Sequence, residues 1–387
     1  MFAKRTNWSL ETNRLSAALA ALRASGKGLL DLTISNPTKC GFLYDEKAIR
    51  EALSGAGVMD YEPNPRGILS ARAAVAEYYA EKGVRVGVED IFLTASTSEA
   101  YSFIFRLLSD PESEVLVPSP SYPLFDFLAD IHDVRLIRYP LTYSDGWQID
   151  FGEVHRAITK RTRGIIVVHP NNPTGHYAKA AEMEQLNQIC AARDLALIAD
   201  EVFFDFSVED GKERSSFAAN SRALTFIMSG LSKISGLPQM KASWLTLGGA
   251  ENLKTQAAAR LEVITDTYLS VSTPVQVALP ALLAQRHGFQ KQLMARLRRN
   301  LAEMDRQLAE SKSCSRLKVE GGWYAVLRIP KLRDDEEFAV EMLEKHSVYT
   351  HPGHFFDFAE PNHLVISLLE REEDFGEGLK RLLDYLG

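Results

Sequence analysis

From about Glu89 to Gly249 the chain alternates short apolar runs rich in β-branched residues with longer stretches whose apolar positions recur at helical spacing. The runs are IFLTA, EVLVP, VRLIRYP, RGIIVVHP, LALIAD, ALTFIMS and SWLTLGG; a representative helical stretch is AKAAEMEQLNQICAARD. Runs this short, with no polar alternation, fit strands buried on both faces, the environment of a parallel sheet sandwiched between helices. The pattern predicts an α/β fold built on a wide, mostly parallel sheet. After Gly249 it changes: residues 273–312 read as mostly continuous helix, with Pro280 and Gly288 as kink points. Strand-like GGWYAVLRIP, helical DDEEFAVEMLEKH, strand-like NHLVISLL and a closing helix follow. Ahead of the sheet, MFAKRTNWSLETNRLSAALAALRASG reads as an amphipathic helix before a short strand, LLDLTI. These changes divide the chain into an N-terminal segment, 1–44, that goes with a smaller α+β domain, a large domain over 45–275, and an interdomain helix with the small C-terminal domain over 276–387.

A length of 387 residues suits two domains of unequal size. The formal net charge of −7 argues against a nucleic-acid partner, so any phosphate has to be held by local groups. Cys40, Cys190 and Cys314 are far apart and form no CxxC pair, which points away from a disulfide framework or a zinc cluster and towards a reducing, cytoplasmic setting. The charged N-terminus is not a signal peptide, and no segment is apolar enough over sufficient length to cross a bilayer.

Four stretches fall at the C-terminal ends of predicted strands, where open α/β sheets bind ligands. In LTASTSEAYSF, Ser96 and Glu99 fit a helix capping box, while Ser96, Thr97 and Ser98 at the same helix start could hold a phosphate. In VVHPNNPTGHY two prolines bracket Asn171 and Asn172; the stretch is either a turn that stops a strand or a stiff loop that aims an amide. In LALIADEVFFDF the buried strand ends on Asp200 and Glu201, acids that need a cap, water or a cation. A buried carboxylate is also the group that keeps a ligand nitrogen protonated. In GLSKISGLPQMKASW, Lys233 follows an apolar strand among small residues, either as a surface charge or beside a bulky ligand.

Several other motifs fail on single residues. A GxSxG elbow needs glycine where Ile234 stands, and an SxxK pair needs serine where Gly230 stands; no Walker A or GxGxxG follows a strand. His351 and His354 in HPGHFFDF lack a third ligand, so no metal is expected.

Taken together, HPNNPTG, ADEVF and the SK…GLP…K combination, in this order and spacing, resemble the class I/II (fold-type I) pyridoxal-phosphate-dependent aminotransferases over nearly the whole chain. The resemblance implies pyridoxal 5′-phosphate as cofactor, with Lys233 as its Schiff-base lysine and proton-transferring base. It implies that Asp200 pairs with the pyridine nitrogen, that Asn172 bonds the phenolic oxygen and the substrate carboxylate, and that Tyr122 stacks on the ring. Phe203 lies beside the phenolic oxygen. Ser96, Thr97, Ser98, Ser232 and Lys241 surround the phosphate, and Tyr61 reaches the phosphate of a neighbouring subunit in a homodimer with shared active sites. Asn36, in SNPT, joins Asn172 on the substrate side. The activity implied is amino transfer between an amino acid and a 2-oxo acid by a ping-pong cycle. A β-lyase or decarboxylase on the same fold is the alternative, and a non-catalytic cofactor-binding module the third reading.

The sequence departs from the resemblance at four positions. Phe203 stands where a tyrosine would donate to the phenolic oxygen. Its absence predicts a raised pKa for the cofactor's visible band, so Phe203→Tyr should lower that pKa in a spectral pH titration; an unchanged midpoint contradicts the role. Lys241 stands for an arginine and supplies charge without a bidentate fork. Gly230 stands for a serine, a role that Ser229 or Ser232 could cover. Val365 stands where a carboxylate-binding arginine is implied, leaving Arg328, Arg371 and His351 as unranked candidates, or a substrate without a carboxylate there.

Overall fold

The computed structural model describes residues 1–209, 214–331 and 334–387. Its strands, in chain order, are β1 (Leu30–Asp31), β2 (Ile91–Thr94), β3 (Glu114–Ser119), β4 (Arg135–Tyr143), β5 (Trp147–Ile149), β6 (Thr162–Val168), β7 (Ala196–Asp200), β8 (Thr225–Gly230), β9 (Ser243–Gly248), β10 (Ser315–Arg316), β11 (Tyr324–Arg328), β12 (Val348–Tyr349), β13 (His351–Pro352) and β14 (His363–Ser367). An eight-stranded sheet takes the order β2-β9-β8-β7-β6-β3-β4-β5. All seven apolar runs between Glu89 and Gly249 are strands of this sheet. The short β5, whose exposed Gln148 separates two buried residues, was not legible as a run.

Strands β4, β3, β6, β7 and β8 pair in parallel, whereas β9 is antiparallel to both β8 and β2. The double reversal leaves β2 running in the same direction as β8. The C-terminal ends of β2, β3, β6, β7 and β8 therefore lie along one edge of the sheet, and each ends in one of the chemically suggestive stretches or in the Tyr122 loop.

Burial on both faces explains the continuous apolar runs. Leu116, Ile165, Leu197 and Ile227 face one core, which continues into Phe289, Leu293 and Leu297 and on to Ala325, Val326 and Val365. Their neighbours Val115, Ile166, Ile198 and Phe226 face the other, under helices Thr97–Leu108 and Glu251–Tyr268. Removing both faces from water gives each strand its stability and makes register slippage costly.

A four-stranded antiparallel sheet, β10-β11-β14-β13, carries the C-terminal region, while β1 pairs in parallel with β12. The N-terminal segment is tied down further by Ser367, whose amide and hydroxyl donate to the carbonyls of Leu32 and Ile34. The N-terminal helix is shorter than the pattern suggests: it spans Arg14–Ala24 and starts where Asn13 accepts a bond from the Ser16 amide.

The long helix is also interrupted, at Gln285 rather than at Pro280 or Gly288, giving helices Thr273–Ala284 and Arg286–Leu308. Pro280 removes only one main-chain donor and is carried inside the first helix. At the junction the buried Arg286 guanidinium donates to the Leu283 carbonyl, supplying a side-chain partner where the main-chain ladder is broken.

Candidate active site

Lys233 is presented by a sharp strand-to-helix transition. Strand β8 ends at Gly230, and the four-residue helix Leu231–Ile234 begins at once. Leu231 and Ile234, three apart, are fully buried on one face and anchor this turn, leaving Lys233 on another face. Gln290, on helix Arg286–Leu308, donates to the Ile234 carbonyl at 2.9 Å and to Asp205 at 2.8 Å; Asp205 is paired in turn with Lys82 and Tyr78. The Lys233 turn is thereby fixed from behind by a polar network.

Gly230 has a specific steric reason. It lies opposite Ser243 on β9, and a Cβ at position 230 would come within 2.2 Å of the Ser243 hydroxyl. The space a serine side chain would need at 230 is filled from the neighbouring strand. Ser229, named above as a substitute, turns towards the Glu201 carbonyl, and Ser232 is half-buried next to Lys233.

The Lys233 amine has no ion-pair or hydrogen-bond partner among the described residues. It lies over two aromatic faces, 4.8 Å from the ring centre of Trp323 and 5.4 Å from that of Phe203. Burial pulls its pKa down from 10.5 to about 8, and the Asp200 charge pulls in the opposite direction. Near neutral pH the group can therefore gain and lose a proton.

Asp200 is the last residue of β7 and is buried. Burial pushes its pKa up to about 6, against the lowering effect of the Val202 amide, the Tyr101 hydroxyl and the Lys233 charge. Tyr101 donates to one carboxyl oxygen at 3.1 Å from helix Thr97–Leu108, and the Val202 amide donates to the other at 3.1 Å. These two bonds aim the carboxyl without neutralising it, so a cation beside it would gain a strong partner. The neighbouring Glu201 points away, accepting from the Ser216 hydroxyl and the Phe217 amide at 2.7 Å each. The two adjacent acids have separate roles: Glu201 anchors the backbone, and Asp200 faces the site.

The two adjacent amides divide in the same way. Asn171 accepts from the Thr174 amide and hydroxyl and donates to the Pro120 carbonyl, stitching its loop to the one carrying Tyr122. Asn172 is buried, and its Oδ1 has no hydrogen-bond partner among the described residues. A buried polar atom left unpaired costs about 1–3 kcal/mol, which a ligand at this point would recover. His169 holds the loop start, accepting from the Ala178 amide at Nδ1 and contacting the Ser215 carbonyl through Nε2.

At the start of helix Thr97–Leu108, Ser96 accepts from the Glu99 amide at 3.1 Å. Glu99 closes the cap one residue earlier than a regular capping box, on the Ala95 amide, and also accepts from Ser270. The amides of Thr97 and Ser98 have no protein partner among the described residues, which leaves two donors and the helix dipole open to an anion. Tyr122 is partly exposed, with its pKa raised by burial and then by Asp200; it packs edge-on against Phe125.

Three further sequence candidates are exposed. Lys241 is exposed, in a left-handed conformation at the end of the turn Pro238–Met240. Asn36 is exposed and spends its Oδ1 on the Thr38 amide and hydroxyl. Tyr61 is 76% exposed on the loop beside Pro63 and Pro65.

Val365 is buried in the middle of the small sheet, facing Val326 across one ladder and His351 across the other. Of the cations considered for this region, Arg328 is exposed with its guanidinium over Tyr143, and Arg371 lies against the Gly41 backbone. Burial lowers the pKa of His351 to about 4, so its ring is neutral at neutral pH.

Sequence reading did not identify Tyr101, Trp323 or Tyr324 as part of this region. Tyr324 is buried beside Phe203, ring centres 6.3 Å apart. Each comes from an element read only as helix or strand, and only the assembled sheet edge brings them to Lys233 and Asp200.

The residues brought together fit pyridoxal 5′-phosphate: a half-buried lysine without a counter-ion in contact among the described residues, a buried acid awaiting a cation, an unpaired amide oxygen and a helix start with free amides. The family model for aminotransferase class I and II matches residues 27–382. Alanine aminotransferase of Mycobacterium tuberculosis is 28% identical over 378 residues, covering 95% of this chain and 87% of that protein. Glutamate-pyruvate aminotransferase of Escherichia coli is 26% identical, covering 94% and 92%. Among solved structures, alanine aminotransferase from Pyrococcus furiosus superposes with a TM-score of 0.91 at 26% identity, covering 100% of this chain and 99% of that one.

Proposed function

This chain belongs to the class I and II aminotransferases, and we propose that Lys233 binds pyridoxal 5′-phosphate and that the loaded protein passes an amino group between an amino acid and a 2-oxo acid in a ping-pong cycle. The observation that carries the reading is the Lys233–Asp200 pair: a buried amine with a depressed pKa and a buried carboxyl with a raised one, at the ends of adjacent strands β8 and β7. When bound, the cofactor supplies an aldehyde that takes up the amino group and a ring that delocalises the electron pair left on the substrate carbon.

Lys233 Nζ would hold the cofactor and, when free, would take a proton from the substrate carbon and return it. An amine with a pKa near 8 does both within the neutral range. Asp200, aimed by Tyr101 and Val202, holds a proton on the ring nitrogen; its own pKa falls once that cation is beside it. Asn172 would orient the phenolic oxygen and Tyr122 would pack against the ring, while Phe203 lies beside the Lys233 amine. The Thr97 and Ser98 amides, with the hydroxyls of Ser96 and Ser232, receive the phosphate, and Lys241 contributes charge from the rim.

Asn36 lies on the substrate side, and Tyr61 serves the site of a second copy in a homodimer, a reading supported by its exposure and that of Leu43, Met59 and Leu69. Domains over 45–275 and 276–387, the second completed by the segment 1–44, follow the two sheets and the β1–β12 pairing. Cys40, Cys190 and Cys314 are free and buried, in keeping with a cytoplasmic setting. The named relatives make alanine, glutamate and pyruvate the first compounds to try.

The test is a panel of amino acids mixed with the loaded protein while its visible band is followed. Amino transfer converts the band and a 2-oxo acid restores it. Release of ammonia or carbon dioxide without restoration would instead mean lyase or decarboxylase chemistry, and no response to any amine would mean a binding module.

A further inference from the structure

The surroundings of the Lys233 amine are unusual for a cation held largely out of water. Where a carboxylate in contact would be expected, the amine meets two aromatic faces. The nearer ring, Trp323, is fully buried and packs edge-on against Phe203 and Phe206, with ring centres 5.2 and 5.3 Å away. This triple packing leaves the indole no room to turn aside.

Trp323 reaches this place through the two glycines before it. The Gly322 amide donates to the Phe206 carbonyl at 2.9 Å, and Gly321 bridges to Ser207. A Cβ on Gly321 would lie 2.5 Å from the Tyr177 ring and 2.7 Å from the Phe206 carbonyl oxygen. Only glycine lets the chain pass so close. On the other side the Leu368 amide donates to the Trp323 carbonyl at 2.8 Å, so both flanks of the residue are pinned.

We propose that Trp323 is a positioning residue for the base: with Phe203 it forms an aromatic saddle that receives the Lys233 ammonium whenever the amine is free, fixing its place and supporting its charge. The negative face of an aromatic ring attracts a cation within about 6 Å, most strongly for indole and where water is excluded. Burial acts against the charge, and Asp200 on β7 supports it from a distance. The phenols around the pair, Tyr101, Tyr122 and Tyr324, all have raised pKa values and are neutral in the working range. Behind the turn, the Asp205 charge is matched by Lys82. The saddle is thus a charge-supporting group in contact with Nζ, and it rests on the proposed role of Lys233.

The experiment is a competitive acetylation titration of the full-length protein, loaded and after removal of the cofactor, with Lys233 modification read by peptide mass spectrometry as a function of pH. In stripped wild type the midpoint should lie near 8. Trp323→Leu should lower it by about one pH unit, tenfold in the ionisation equilibrium. Trp323→Phe, which keeps a weaker ring face, should fall between the two, and Phe203→Leu should shift the midpoint the same way. That graded order is not produced by a general loss of packing. Midpoints unchanged, or raised, in Trp323→Phe and Phe203→Leu overturn the proposal, and they decide it even if Trp323→Leu fails to fold. Protection of Lys233 in the loaded protein reports separately on the cofactor reading, so each idea can fail without the other.

Discussion

Replacing Lys233 with alanine should lower amino transfer by at least about 10⁴-fold, the combined scale of losing a covalent anchor and a general base that act as one unit. Among the described residues, neither of the two lysines nearest to hand is placed to take over. Lys241 is exposed on the rim, and Lys82 is committed to Asp205 behind the turn. The loss should not come from misfolding. Lys233 makes no hydrogen bond or ion pair among the described residues, and its charge is carried at a cost that burial imposes and the ring faces only partly offset. The sign follows from the shift. A lysine whose pKa is about 8 folded and 10.5 unfolded is at a disadvantage below pH 8, and that disadvantage disappears as pH rises through 10.5. Lys233→Met, which keeps an apolar stem against the rings, should therefore melt no lower than stripped wild type at pH 7 while losing the same activity. A melting temperature well below wild type would mean that Lys233 has a structural role not described above.

Asp200→Asn should separate stability from activity even more clearly. With the ring nitrogen no longer held protonated, turnover should fall by about 10²–10³-fold, the scale of removing one preorganised charge interaction from a dry site. The stripped variant should be the more stable protein at neutral pH. Asp200 is raised from 3.8 to about 6, so its stabilising contribution is complete below 3.8 and is lost as pH rises through 6. Above that point the buried charge costs roughly 3 kcal/mol, a cost the neutral amide does not carry. Asparagine can keep both bonds, accepting from the Val202 amide and donating to the Tyr101 oxygen, since a phenol both donates and accepts. Melting curves of both stripped proteins from pH 4 to pH 8 should coincide at the acid end and diverge towards neutrality, with the variant higher. Parallel curves would contradict the assignment of Asp200 as a buried, uncompensated charge. A conserved turnover would contradict its role at the ring nitrogen.

The central sheet was legible because its strands are buried on both faces and so carry unbroken apolar runs. β5 escaped because a three-residue edge strand with one exposed position has no such run. The reversed direction of β9 was invisible for a different reason: SWLTLGG is as apolar as its parallel neighbours, and burial does not record polarity. Lys233, Asp200 and Asn172 drew attention at predicted strand ends, but each kept a structural alternative there, and only the resemblance of the combined motifs implied their roles. Contacts made by distant segments did not. Ser243 explains Gly230 only once β8 and β9 are paired, and Trp323 meets Lys233 only because a Gly-Gly turn passes between Tyr177 and Phe206. Likewise, the difference between Asn171 and Asn172, or between Asp200 and Glu201, lies in which hydrogen bonds the fold has already used. Spacing cannot supply that information.

The most direct test of the account is to reduce the cofactor-loaded protein with borohydride, digest it and locate the attached pyridoxyl group by mass spectrometry. The account predicts the label on Lys233, between Ser232 and Ile234, and its loss in Lys233→Ala. A label on Lys241 or any other lysine, or a fully labelled Lys233→Ala protein, would contradict it.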